Sequence, residues 1–304
     1  METGGQVHHE YTVAFFDILG FKRTSERLGL AEVERRYRAL IEVVDRFNAN
    51  SASLFGLLNF EESAYWTEDG DIFILNRIDG AYASDSIVVW TSRWWPESRE
   101  LDPRTRARLA RDPETGWLHT TVPCDNLLSV CNELVCRSIE VGLPFRGALA
   151  MGPALLDSAR TLFLGPPLIQ AATLEREQAL IGASLCASFM QQSIPERFAL
   201  GFDRHLKPGL ARDFGGQVLD WPRHWRLTRG SDLRSRIQVL SRDTGSAEVH
   251  YRNTLDLIDL SERQERRRQP SAPAGSRGPS LRESHPAYAG ARLKTPFRAI
   301  RRRR

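Results

Sequence analysis

Thr12-Val13-Ala14-Phe15-Phe16-Asp17-Ile18-Leu19-Gly20-Phe21-Lys22 is an apolar run broken by one carboxylate and closed by a glycine. The run predicts a buried strand from Tyr11 to Asp17, and Gly20 before a polar, helix-like stretch predicts the turn out of it. A carboxylate in a core strand is costly unless something pairs with it. At the strand's end it aims out of the sheet, towards a ligand, and the rest of the chain must supply what it needs.

On the C-terminal side, Lys22 to Leu28 predicts a short helical turn. Ala31 to Asn48 places Val33, Tyr37, Leu40, Ile41, Val44 and Phe47 three and four residues apart, the spacing of an amphipathic helix. Arg35, Arg36 and Arg38 fall on its other, solvated face. Asp71 to Leu75 predicts a strand. Ala81-Tyr82-Ala83 and Ser86 to Trp90 flank Ser84-Asp85, which predicts a hairpin with Asp85 at its tip. The Arg-, Pro- and Asp-rich stretch from Ser92, taken to about residue 120, predicts an exposed insertion with a short helix at Pro103–Ala110. Val122 to Val141 has the broadest apolar face of any helical segment. Phe145 to Gly152 reads as a strand, Thr161 to Leu164 as its partner, and Leu168 to Gln178 as a helix opened by two prolines. Ile181 to Gln192 predicts a short strand and helix.

Residues 11–195 thus form a catalytic-sized domain after a flexible start, residues 1–10. Residues 196–260 read as an extension packed on it, with a strand at Gln217–Trp221 and helices at Ser231–Leu240 and Ala247–Leu260. From Ser261 onward Pro, Ser, Gly and Arg dominate without apolar periodicity, which predicts a disordered basic tail over 261–304. Strand, helices, hairpin, helix, strands, helix is an α+β order: helices over one antiparallel or mixed sheet, with a helical C-terminal extension.

The 304 residues are enough for a full core, and 41% hydrophobic with 26% charged residues is ordinary globular composition. The formal charge of +4 sits largely in the tail. It therefore argues only for non-specific contact of Arg301–Arg304 with polyanions, not for a specific nucleic-acid partner. No apolar run reaches membrane-spanning length, and no leader pattern precedes the first strand. Cys124, Cys131, Cys136 and Cys186 form no CxxC pair and read as core thiols of a cytoplasmic protein.

Asp17 and Asp85 are the two carboxylates set in apolar frames. Side by side they repel, and one stays protonated unless a cation intervenes. Two hard divalent ions, Mg²⁺ or Mn²⁺, take such oxygen ligands together with substrate phosphates. A pair of them activates a hydroxyl nucleophile and stabilises a leaving phosphate. The turn Ile18-Leu19-Gly20-Phe21 offers backbone N–H groups to the anion. The plain structural alternatives are a strand-end cap for Asp17 and a turn residue for Asp85.

FFDILGF (15–21), SDSIVV (84–89), FRGALAMG (145–152) and FLGPPLIQAATLE (163–175) together resemble the successive core blocks of class III nucleotide cyclases. The pattern is most similar to the bacterial pyrimidine cyclases of Pycsar anti-phage systems. The resemblance spans about residues 11–192, and LDWPR and YRNTLDLI continue it. It implies a ferredoxin-like, palm-type sheet covered by helices. It also implies a homodimer with a nucleoside triphosphate between two catalytic domains. By position it makes Asp17 and Asp85 the metal aspartates, lends the carbonyl of Ile18 to the second ion, and puts Phe16 and Ile18, Leu19, Gly20 and Phe21 around the triphosphate. The implied reaction is attack of the ribose 3′-hydroxyl on the α-phosphate with loss of diphosphate.

The family's purine-reading positions fall on Ala81 and Leu162, which cannot hydrogen-bond a purine edge. Its asparagine and arginine of the transition state fall on Ile169 and Thr173. Arg146, Arg176 and Gln170 are the candidate replacements, against a salt-bridging role for the arginines. Tyr65 and Tyr82 are stacking candidates, against plain packing. The resemblance implies UTP over CTP as substrate and a separate effector protein activated by the product. The competing readings are a cytidylate cyclase, an inactive nucleotide-binding dimerisation module, another palm-like phosphotransferase and a nucleic-acid binder. The palm-like reading is disfavoured by an Ala-Ser-Asp-Ser tip where Gly-Gly-acid-acid would stand.

Overall fold

The computed structural model describes residues 9–54, 64–66, 72–74, 78–92, 113–157, 160–192, 194–207, 212–242 and 247–268. The short helix expected at 103–110 and the tail from residue 269 lie outside them.

The apolar run forms β1 (His9–Ile18), an interior strand of an eight-stranded sheet. Gly20, at φ 70° and ψ 28°, turns the chain into α1 (Phe21–Leu28), and α2 (Leu30–Leu54) follows. That left-handed conformation strains any residue with a Cβ, which is why a glycine closes the run. A small separate ribbon, β2 (Ala64–Trp66) with β3 (Ile72–Ile74), precedes the hairpin of β4 (Asp79–Ala83) and β5 (Ser86–Ser92). Ser84 takes φ 55° at the first turn position, the sign that matches the right-handed twist of the flanking strands.

The third helix, α3 (Pro113–Val141), starts well before Val122, so residues 113–120 belong to a helix rather than to the expected insertion. Then come β6 (Phe145–Asp157), β7 (Leu162–Leu164), α4 (Pro166–Glu177) and β8 (Gly182–Cys186). Strand β6 runs on past Gly152. The chain ends in β9 (Ala199–Gly201), β10 (Phe214–Leu219), α5 (Trp221–Thr228), α6 (Leu233–Ser241) and α7 (Glu248–Arg268). Trp221, expected as the end of a strand, instead opens α5 behind its N-cap Asp220, whose side chain accepts from the Arg223 N–H.

The strand order is β4-β5-β1-β6-β8-β10-β9, with β7 on β6. The sheet is mixed: β6 and β8 are parallel, and the other pairs are antiparallel. β9 and β10 extend the sheet itself, so the segment expected as an extension shares its hydrogen bonding. Helix α7 continues to Arg268, beyond the boundary expected at residue 260.

The two faces of β1 follow the period of two. Ala14, Phe16 and Ile18 join the main core with Leu40, Val43 and Val44 of α2 and Leu127, Leu134 and Cys131 of α3. Phe15 lies on the opposite face, where Ala148 and Ala150 of β6 pack against Ala171 and Leu174 of α4. All four cysteines are buried and free. No helix among the described residues is long and apolar enough to cross a membrane.

Beside that second cluster a polar network is sealed in. Ser184 on β8 donates to Gln178 Oε1 at 2.5 Å and lies 2.7 Å from His205 Nε2. Burial pushes the His205 imidazole down from 6.5 to about 4, so it is neutral in the folded protein. The unfolded chain then binds the extra proton between those values. Stability is fully present above pH 6.5 and falls as the pH drops towards 4. His205 should contribute a loss of about 2 kcal/mol between neutrality and pH 5, read as the difference in pH dependence of urea stability between wild type and His205→Gln.

Candidate active site

The end of β1 is pinned from both sides. Ile18 N–H donates to the Asp85 carbonyl at 2.9 Å, and Leu19 N–H donates to the Pro144 carbonyl at 2.8 Å. The first bond ties the hairpin tip to the residue after Asp17. Tyr37, reaching from α2, donates its hydroxyl to the Ser86 carbonyl at 3.1 Å and steadies the same tip. Tyr82 packs edge-on against Tyr37, with ring centroids 6.4 Å apart. Its hydroxyl is held protonated well above its usual range, chiefly by burial. That favours packing over stacking on a base.

Asp17 stands directly across from Ser86 on β5 and from Arg146 on β6. Arg146 donates to Asp17 Oδ2 at 3.2 Å and, through Nε, forms an ion pair with Glu175 of α4. Burial raises the pKa of Asp17; the Arg146 charge opposes this, and the Asp85 charge adds to it. Glu175 is 2% exposed, and burial lifts its pKa to about 7 against the pull of Arg146. One guanidinium is thus shared by two acids that burial makes reluctant to ionise together.

Of the residues expected from the sequence, the structure brings together Asp17, Asp85 and Arg146. Phe16 points to the other face: it is fully buried and stacks on Phe145 at 5.3 Å. Ile18 is likewise a core side chain, so only its backbone faces the site. Gly20 is exposed, and Leu19 and Phe21 are partly buried against the core. Gln170 Oε1 already accepts from Ser188 Oγ at 2.7 Å. Arg176 and Thr173 are exposed on α4, and Arg176 adds a weaker positive influence on Asp17. Ala81 lies opposite Val88 within the hairpin. The side chain of Tyr65 lies outside what is described.

Glu175 escaped the sequence reading. A signal was present: Ala171, Leu174 and Glu175 share the i, i+3, i+4 stripe that buries α4, so an acid sits where an apolar residue belongs. Its partner is nearly thirty residues away in sequence, and no local pattern links them.

The oxygen donors here suit a hard divalent cation: two carboxylates in electrostatic reach of one another and the carbonyl end of β1. The upward push of Asp85 on Asp17 is the repulsion that such an ion would relieve.

No family model matches the chain, and no curated protein matches it. Among solved structures it is similar to the catalytic core of a rhodopsin-guanylyl cyclase with converted specificity in complex with ATPalphaS, at 14% identity over 70% of this chain and 94% of that one, TM-score 0.41. It is similar to the adenylyl cyclase CyaB from P. aeruginosa at 14% identity over 70% and 94%, TM-score 0.34. The guanylyl cyclase Cya2 aligns at 14% identity over 71% and 91%, TM-score 0.28. Likeness at this level assigns no activity to this chain.

Proposed function

We propose that the chain is a pyrimidine nucleotide cyclase, converting UTP to 3′,5′-cyclic UMP and diphosphate as half of a homodimer in the cytoplasm. The observation that carries this reading is the meeting of Asp17, the Asp85 turn and Arg146 at the end of β1, beside a glycine turn with free room for an anion. Two divalent ions, Mn²⁺ or Mg²⁺, held by Asp17, Asp85 and the Ile18 carbonyl, would supply the charge that lets a hydroxyl attack and a diphosphate leave. The chain's own groups position the substrate. In the turn after Asp17 the Ile18 and Leu19 N–H groups are spent on the Asp85 and Pro144 carbonyls, so the Gly20 and Phe21 N–H groups would meet the triphosphate, and Arg146 would offset the negative charge that builds on the α-phosphate. In the reaction the O3′–Pα bond forms, the bond from Pα to the diphosphate breaks, and the hydroxyl proton is lost.

Apolar side chains at Ala81 and Leu162 motivate the preference for a pyrimidine, and the sequence resemblance motivates uracil over cytosine. A second copy would cover Leu162, Leu164 and Ile169, an apolar patch in which Leu164 is 55% and Ile169 69% exposed. The product would act as a second messenger on a separate effector protein in anti-phage defence.

One observation favours the inactive nucleotide-binding module instead. Arg146 is engaged by both Asp17 and Glu175, and Ile169 and Thr173 provide no substitute cation. The two readings part in one assay. The purified protein is incubated separately with UTP, CTP, ATP and GTP and Mn²⁺, and the products are identified by mass. Cyclic UMP is expected. Cyclic CMP would move the substrate, and no product from any of the four would leave the module.

A further inference from the structure

On the side of the sheet covered by α2 and α3, behind the turn that follows Asp17, lies a cavity of about 560 Å³. Four separate stretches wall it: α1, the start of α2, the end of α3 with the loop to β6, and α6 with the start of α7. Its charge is one-sided. Among the described residues, Arg23, Arg27, Arg35, Arg36, Arg137 and Arg236 line it, and Glu140 is the one acidic lining residue. Asp17, Asp85, Arg146 and Glu175 are not part of the wall.

The carboxylates at hand are shared. Arg35 and Arg36 both donate to Glu32, at 2.7 Å each. Arg137 and Arg229 both donate to Glu140, at 3.2 Å each. Two walls are also tied to backbone: Arg36 donates to the Val141 carbonyl at 2.9 Å, and Arg236 donates to the Glu140 carbonyl. These contacts hold guanidinium groups in fixed directions around a concave space. Glu32 and Glu140 each answer more than one of these arginines, and the excess positive charge facing one concave space attracts an anion. Guanidinium forks match phosphate oxygens in geometry and charge, and the volume is that of a small-molecule site rather than of a groove for a polymer.

We infer that this cavity binds a small molecule bearing two or more phosphate groups. The inference does not rest on the cyclase reading, because its arginines are none of the residues assigned there to metal or catalysis. The two places touch only through Leu19 and Gly20, which belong to the turn after Asp17 and to the cavity wall. An anion held by α1 and α6 would brace that turn from behind.

The test is isothermal titration of the full chain with inorganic diphosphate, and separately with ADP, in EDTA so that no divalent ion supports binding elsewhere. Saturable binding to wild type is expected, weakening as salt is added. Arg23 and Arg236 are exposed and come from different walls, and an unchanged circular dichroism spectrum and melting temperature check that the double variant keeps the fold. Arg23→Ala/Arg236→Ala should bind at least about tenfold more weakly, while Asp17→Asn/Asp85→Asn binds within about threefold of wild type. Tighter binding of ADP than of diphosphate would identify the ligand as a nucleotide; equal binding would identify the phosphate chain alone. The inference is overturned if neither probe binds, if the arginine variant binds as wild type does, or if the aspartate variant loses the binding. It is also overturned if a single-stranded oligonucleotide binds through these arginines where both small probes fail.

Discussion

Asp17→Asn should lose about a thousandfold or more of cyclic-nucleotide formation, equivalent to several kcal/mol of transition-state stabilisation, while its melting temperature stays at or above that of wild type in EDTA. The second half of that expectation separates a functional carboxylate from a structural one. Burial and the charge of Asp85 both raise the pKa of Asp17, so its ionised form is less favourable folded than unfolded. The sign follows: the folded state gains from a protonated Asp17 at low pH and loses that gain as the pH rises above the usual carboxylate range. At neutral pH the amide removes this penalty, and Arg146 keeps its partner Glu175. Asp85→Asn should lose activity to a similar degree. Added Mn²⁺ should raise the melting temperature of wild type and of neither variant, because binding to the folded state alone stabilises it. A variant that keeps its turnover, or one that unfolds instead of losing turnover, would return Asp17 to a strand-end cap.

Trp221→Ala should destabilise the whole protein by about 3–5 kcal/mol, a large part of any domain's margin, and lower the melting temperature by roughly 10 °C or more. Trp221 is 0% exposed in the main core and donates Nε1–H to the Ile181 carbonyl at 3.0 Å. Its truncation leaves a large cavity and an orphaned carbonyl next to β8. Gly182 makes room for the indole: a Cβ there would stand 2.6 Å from Trp221 Nε1, so Gly182→Ala should be damaging for the same reason. Chemical denaturation followed by circular dichroism reads both effects. A second transition confined to a small amplitude would mean that residues after 195 fold as an appendage. A single cooperative loss fits a segment whose β10 is hydrogen-bonded into the main sheet.

The features that the chain itself determined are those written in local periodicity. The apolar run to Asp17 had to be a strand closed by a glycine, the pair of β-rich runs around Ser84-Asp85 had to be a hairpin, and the three- and four-residue spacings of α2 and α3 had to be helices. Two acids in apolar frames were enough to mark a candidate site. Boundaries are less legible: α3 starts before its apolar stripe begins, and Trp221 reads as strand because its place at the head of α5 depends on Asp220 leaving β10 to cap that helix. Other features belonged to tertiary structure alone. That Arg146 faces Asp17, that Glu175 is sealed above them, that three residues at Ala199–Gly201 join the sheet, and that six arginines from four stretches share one cavity are all facts of register and packing. Periodicity is a property of neighbouring residues, so it tells which side of an element is buried. Which buried sides meet is set by the sheet order, and only the folded chain holds that.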